Sequence, residues 1–198
     1  MKSKYPRAIL GDLIVHQKGH PFKSRDYQDK GIPVVRVSNF TEDSIDRGDL
    51  KYVSENIALL NQKASLKTND VIIATVGSWP KNPASIVGKT ISVPHEMDGA
   101  LMNQNSVILR VKNEDDIDQK YLFIALKTKS FSEYLVSTAQ GSANQASVTL
   151  SDIFSYEIEW PNQEIRQSIV GIVDSLNQKI IVNRQTNQTL EQIAQALF

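Results

Sequence analysis

From residue 163 to residue 198 the chain has no proline and a single glycine, Gly171, and its seam-forming residues recur with a nearly unbroken helical beat. They fall at Ile165, Ile169, Ile172, Leu176, Ile180, Asn183, Asn187, Leu190, Ala194 and Leu197, with one stutter at Leu176–Ile180. The mean step, about 3.56 residues, lies between the coiled-coil period and the straight-helix period. At about 1.5 Å per residue this helix runs roughly 50 Å, too long to be covered by a domain of this size. The chain therefore divides into a domain over residues 1–160 and a projecting helix over 161–198, with Pro161 at the junction.

A narrow apolar stripe on a long terminal helix must be buried against something. It can fold back on its own domain, or it can pair with a second helix. Asn183 and Asn187 favour pairing, because seam asparagines cost stability yet fix register and orientation when they meet a hydrogen-bonding mate. A homodimer through the C-terminal helix is expected, with parallel and antiparallel pairing both open.

Composition narrows the function classes. Of 198 residues, 22 are basic and 22 acidic, so the chain is no polycation that coats nucleic acid indiscriminately. The charge is polarised instead. Residues 1–40 hold eight bases against three acids, and residues 99–160 hold five bases against eight acids. With no cysteine, disulfides, thiolate zinc sites and cysteine nucleophiles are excluded. Gly11 and Asp12 interrupt the first apolar residues, and no apolar run approaches spanning length, so a soluble cytoplasmic protein without a membrane role is expected.

Catalytic motifs fail one by one. Gly88-Lys-Thr90 imitates the end of a phosphate loop, but Pro83 stands where the loop needs glycine, and Ile91-Ser-Val-Pro94 does not open a helix. His16, His20 and His95 lack metal-ligand spacing, and no G-x-S-x-G elbow or G-x-G-x-x-G turn occurs. No catalytic residue, metal or cofactor is expected, and the chain reads as a non-enzyme.

Along the domain, Ala8–Val15 opens with a short helical or strand-like piece. Val34–Val37, Asp70–Val76, Thr90–Val93 and Ser106–Val111 read as strands, the second apolar enough to be buried on both faces. Gly77–Gly88 reads as a loop, Asp118–Ser137 as one helix, and Val148–Leu150 and Tyr156–Trp160 as closing strands. The fold class is α/β (α+β) with mixed strands, followed by a coiled-coil-forming helix.

Several stretches, in order, resemble the specificity subunits of type I restriction–modification systems. They are Leu10-Gly-Asp-Leu13, Gly19-x-Pro21-Phe22-x-Ser24 with Tyr27, Gly31-Ile-Pro-Val-Val-Arg-Val-Ser-Asn39 and Tyr52-Val-Ser54. Asp70-Val-Ile-Ile-Ala74 with Gly77-Ser78, Asn103-Gln104, Gly141-Ser-Ala-Asn-Gln145 and the Asn183–Phe198 helix follow. The resemblance implies a target-recognition domain plus one spacer helix, where family members carry two such units whose helices pair antiparallel. This chain departs in having one unit and in the single proline of Trp160-Pro-Asn-Gln-Glu164.

The resemblance also implies double-stranded DNA, methyltransferase (modification) subunits and a restriction subunit as partners; S-adenosylmethionine and ATP would belong to those partners. Base edges are read by Arg, Asn, Gln, Ser and Lys side chains, and the loops supply them. The candidates are Lys18, Lys23, Ser24, Arg25, Arg36, Ser38, Asn39, Ser78, Trp79, Lys81, Lys89, Asn103, Gln104, Asn105, Ser142, Asn144 and Gln145, with phosphate positioning falling to Lys18, Lys23, Arg25, Lys81 and Lys89. The competing role of Ser38, Asn39 and the Gly141 turn is to close strands, and that of Trp79 is to cap the core. Two other functions stay open: a protein–protein adaptor with no DNA contact, and a small hydrolase with an unrecognised motif.

Overall fold

The computed structural model describes residues 5–79 and 87–197. Two strands organise the domain. β6 (Val71–Ala74) and β10 (Ser106–Val111) lie side by side in an antiparallel sheet of order β2-β10-β6-β8, flanked by β2 (Ile14–Lys18) and β8 (Thr90–Ser92). Their apolar runs are continuous because the sheet is covered on both faces. Side chains alternate along a strand. Val71, Ile73, Val107 and Leu109 enter one core with Leu122, Phe131 and Leu135, while Ile72, Ala74 and Ile108 enter a second core with Phe40, Ile91 and Met97.

The first core is capped by helices α3 (Asp116–Leu126), α4 (Lys129–Thr138) and α5 (Leu150–Phe154). The single helix expected over Asp118–Ser137 is thus two. Lys127 leaves the α3 spiral, Thr128 is extended, and the Thr128 hydroxyl donates to the carbonyl of Ala125 at 3.0 Å. The strand expected at Val148–Leu150 is also absent, because Thr149 caps α5 instead. Its Oγ1 accepts from Asp152 N at 3.1 Å, and the Asp152 carboxylate accepts from Thr149 N at 3.0 Å.

A second sheet, β3-β5-β4-β9, joins β3 (Tyr27–Gln28), β5 (Lys51–Val53), β4 (Ile32–Val35) and β9 (Leu101–Met102), with β4 and β9 parallel. The strand expected to run to Val37 stops at Val35, and Val37–Asn39 forms a 3-10 turn. β7 (Val76–Gly77), β11 (Gln140–Gly141) and β12 (Ala146–Ser147) make a small ribbon. The opening segment is β1 (Arg7–Ile9), a short helix α1 (Leu10–Leu13) and then β2, and β1 pairs with β13 (Glu157–Glu159). A helix α2 (Glu55–Leu60) follows β5.

The terminal helix α6 spans Gln163–Leu197, 35 residues. Asn162 caps it through Oδ1, which accepts from Ile165 N at 3.1 Å. Only its first turns touch the domain. Arg166 and Val170 are buried there, whereas residues 174–196 are exposed. Folding back on the domain is therefore not how the stripe is covered. The anchoring contact is an ion pair: Arg166 grips Asp118 of α3 through Nε–Oδ1 at 2.7 Å and the second guanidinium nitrogen to Oδ2 at 2.9 Å, with side chains 10% and 3% exposed. Asn113 also donates to Asp118 at 2.8 Å, and the guanidinium stacks 4.8 Å from the Trp160 ring centroid. No described helix is long and apolar enough to cross a membrane.

Removing one partner of such a pair leaves a buried charge uncompensated. Asp118→Ala is expected to lower unfolding stability in urea by about 3–5 kcal/mol. A wild-type transition midpoint would refute the anchoring role.

Candidate nucleic-acid interface

Strand direction brings the candidate loops together. β10 is antiparallel to both β2 and β6, with Val107 opposite Lys18 and Ser106 opposite Ala74. The start of β10 therefore lies at the same rim as the ends of β2 and β6. Three loops leave that rim: Lys18–His20, Thr75–Trp79 and Asn103–Asn105. They are stitched by backbone bonds from Gly19 N to Ser106 O (3.2 Å), His20 N to Met102 O (2.9 Å) and Thr75 N to Asn105 O (2.8 Å).

The other sheets add to the rim. β4 and β9 run parallel with Val35 beside Met102, so Arg36–Asn39 leaves next to Asn103, whose N donates to Val35 O at 2.9 Å. β12 pairs with β7, which places the Gly141–Gln145 turn against Trp79, and Trp79 Nε1 donates to Ser142 O at 2.7 Å. The 3-10 turn Ser24–Asp26 is tied in through Tyr27, whose hydroxyl accepts from Asn103 Nδ2 at 3.3 Å. Burial raises the Tyr27 phenol above its ordinary pKa, with Arg36 pulling the other way, so it stays a neutral anchor at neutral pH.

Backbone demands explain two rim residues. A Cβ on Gly19 would lie 1.8 Å from Asn103 O, so only glycine lets the two loops touch. Asn105 has φ of 70°, a left-handed conformation that asparagine tolerates better than most residues. That twist turns its carbonyl toward Thr75 N and Val76 N.

Lys18, Gln104 and Asn105 line a cleft of about 420 Å³, joined by Thr75 and Thr149, which sequence reasoning missed. No carboxylate lines this cleft among the described residues. Gln104, Asn105, Asn144 and Gln145 are exposed. Within the described residues their side-chain amides have no hydrogen-bond partner, nor has the Lys18 ammonium. Lys23 and Ser24 are exposed, and the Arg25 side chain is 78% exposed with only a 3.9 Å approach to Asp26. Ser38 and Ser142 are also exposed.

Other candidates are committed to the fold. Asn39 is buried, accepting from Arg36 N at 3.0 Å and donating to Asp49 O at 3.0 Å, so its amide closes a turn and has no edge left for a base. Arg36 is turned to Asp49, donating to its carbonyl at 2.7 Å and its carboxylate at 3.0 Å. The Lys89 ammonium donates to Phe40 O at 3.0 Å and faces a different cavity, shared with Lys127. Trp79 packs against the first core and acts as a strut between two loops. Asn103 serves the same end through Tyr27. Lys81 lies outside the described residues. On α6, Ile165 and Ile169 are half-buried at the domain, and Ile172, Leu176, Ile180, Asn183, Asn187, Leu190 and Ala194 are exposed, with Leu197 the last helical residue.

A family model described as the type I restriction modification DNA specificity domain matches residues 8–192. The chain belongs to that family. The specificity domain is 29% identical over 137 residues to the type I restriction enzyme HindI specificity subunit of Haemophilus influenzae, covering 69% of this chain and 28% of the relative. It is 32% identical over 87 residues to the MjaIX specificity subunit of Methanocaldococcus jannaschii, covering 43% and 19%. The chain thus spans less than a third of the length of these relatives.

Solved structures agree on the fold. A chain from a structure titled for complex assembly and conformational transition of the type I R-M system aligns with TM-score 0.61 at 17% identity, covering 94% of this chain and 41% of that one. The S subunit from M. genitalium aligns with TM-score 0.60 at 16% identity, covering 93% and 44%. The mixed α+β domain with its long C-terminal helix is therefore the architecture of this family.

Because Gly19 is set against a backbone carbonyl, Gly19→Ala must push the rim loops apart. A loss of about 1–3 kcal/mol is expected in thermal unfolding. Unchanged stability would mean that the loops are not locked together as described.

Proposed function

We propose that the chain reads one half of a bipartite DNA target, with residues 1–160 as the recognition unit and 161–198 as a spacer helix that pairs with a second copy. The observation that carries this is the convergence of loops from three sheets on one rim. There they present the unpartnered amides of Gln104 and Asn105 beside Lys18, and those of Asn144 and Gln145 on the turn held by Trp79. Amide side chains pair with base edges in two-point fashion, adenine being the usual match for Asn and Gln. Lys18, Lys23 and Arg25, exposed along the same region, suit phosphates, which position a protein without reading sequence.

In this reading the chain supplies no catalytic group. It delivers methyltransferase subunits, and with them a restriction subunit, to the site it recognises, and those subunits carry the chemistry and its cofactors. Two copies related by a two-fold axis read an inverted repeat whose half-site spacing is set by the helices. The cytoplasm, where the chromosome lies, is the compartment for this work.

Duplex binding measured against salt tests the proposal. Affinity is expected to fall steeply as salt rises, through release of counterions from the phosphates. Arg25→Ala is expected to weaken binding to all sequences alike and reduce the salt slope by about one. Gln145→Ala, and Asn105→Gly to keep the left-handed backbone, are expected to change which base pair is preferred, by about 1–3 kcal/mol at one position. Methylated sites mapped across a genome with the cognate methyltransferase subunit give the readout. No duplex binding at low salt, even with that subunit present, would sink the proposal in favour of an adaptor.

A further inference from the structure

Tyr27 stands where the second sheet meets the rim, and its ring and its hydroxyl have different surroundings. The half-buried ring packs on the apolar cluster of Phe22, Val34, Val53 and Leu101. Its hydroxyl reaches Asn103, whose Nδ2 donates to it at 3.3 Å. Along the chain, the turn Ser24–Asp26 closes on Tyr27, whose N–H donates to Ser24 O. The exposed Arg25 therefore lies just two positions before the phenol.

The direction of each bond on this path is forced. Asn103 Oδ1 accepts from Gln104 N at 2.8 Å. A backbone N–H can only donate, so the amide oxygen must face Gln104 and the amide nitrogen must face Tyr27. The phenol oxygen is then the acceptor in its bond, and its own proton is left for another partner. Burial keeps the phenol protonated, so that proton is there to give. No acceptor among the described residues takes it.

The surroundings suit an anion as the missing acceptor. The Arg36 guanidinium is near enough to act on the phenol, with Asp26 opposing it, and Lys23 and Arg25 are exposed on the turn just before. Asn103 N is held by Val35 O at 2.9 Å. What remains to be set at Gln104 is the orientation of its peptide, and the Asn103 amide sets it.

We infer that Tyr27 couples phosphate contact to base reading: its hydroxyl donates to a phosphate of the bound duplex while accepting from Asn103, which holds Gln104 toward a base edge. This rests on the proposed reading of DNA at the rim. A phosphate on the phenolic proton makes the oxygen a better acceptor, because hydrogen bonds in a chain polarise one another. Asn103 is gripped harder when the backbone contact is in place, and Gln104 is presented best there. Tyr27 is thus a phosphate contact and, toward Gln104, a positioning residue.

Tyr27→Phe keeps the ring in its cluster and removes both the acceptor and the proton. It is tested in the full-length chain with the cognate methyltransferase subunit, at the base pair whose preference Gln104→Ala relaxes. Preference there is expected to fall about three- to tenfold. The salt slope is expected to stay as in the wild type, since a neutral hydroxyl releases no counterion. In a Gln104→Ala background the same substitution is expected to change that preference no further, and additive effects would overturn the coupling.

Duplexes with one phosphate at a time replaced by an uncharged methylphosphonate locate the contact. At one position the wild type is expected to lose discrimination as well as affinity, and Tyr27→Phe to lose affinity alone. Equal losses in both proteins at every position overturn the phosphate contact. Asn103→Asp still accepts from Gln104 N but takes the phenolic proton itself, so it is expected to lose the methylphosphonate response too. A retained response in that variant counts against the handover. No duplex binding by the wild type removes the reading of DNA itself. Wild-type binding with an unchanged preference in Tyr27→Phe removes only the coupling.

Discussion

The contact between Arg166 and Asp118 decides what the rest of the molecule can do. It sits where the globular part ends and the projecting helix begins, and both charges are withdrawn from water. A two-point grip from a planar guanidinium fixes orientation as well as distance. Trp160 stacked on the guanidinium and Asn113 bonded to the carboxylate leave little freedom for either group. The helix therefore leaves the domain at one fixed angle. In the proposed dimer, a loose joint would make the spacing between the two recognition units loose too.

From that joint outward, the molecule separates two tasks. The domain builds a rim by bringing strand ends together, and the strands themselves are spent on two cores, one on each face of the central sheet. Loops that carry unpartnered polar groups can then vary without touching packing. The helix does the opposite: its surface carries a pattern fixed by spacing, and its length converts that pattern into distance. In the proposed reading, affinity, specificity and spacing fall to different residues, with phosphate contacts on lysines and arginine, base contacts on amides, and half-site separation on α6.

Much of this was legible in the residues. The heptad beat gave α6 and its stripe, and the apolar run at Asp70–Val76 gave a strand covered on both faces. What misled was local. Thr149 and Asp152 form a capping box that overrode an apolar Val148–Leu150 strand reading, and Lys127-Thr128 broke a helix without glycine or proline. The amides Gln104, Asn105, Asn144 and Gln145 are exposed, because turns with asparagine, glutamine and serine stay at the surface. Asn39, Arg36 and Lys89 have the same chemistry in the sequence, yet each is tied to a backbone oxygen or carboxylate that lies at least ten positions away. Thr75 and Thr149, which line the cleft, carried no signal beyond following or preceding apolar residues.

The sequence alone determined the periods: which segments are buried on two faces, where the domain yields to a helix, and where the seam places its two asparagines. Those properties depend on the order of residues along one chain, and order is what a sequence records. The tertiary structure alone decided which polar side chains are free and which are spent. It also decided that strands far apart in the chain end at one rim, and that the stripe beyond Gly171 is left exposed. These are relations between residues separated by tens of positions, fixed by strand direction and by one buried ion pair, and no local pattern encodes them.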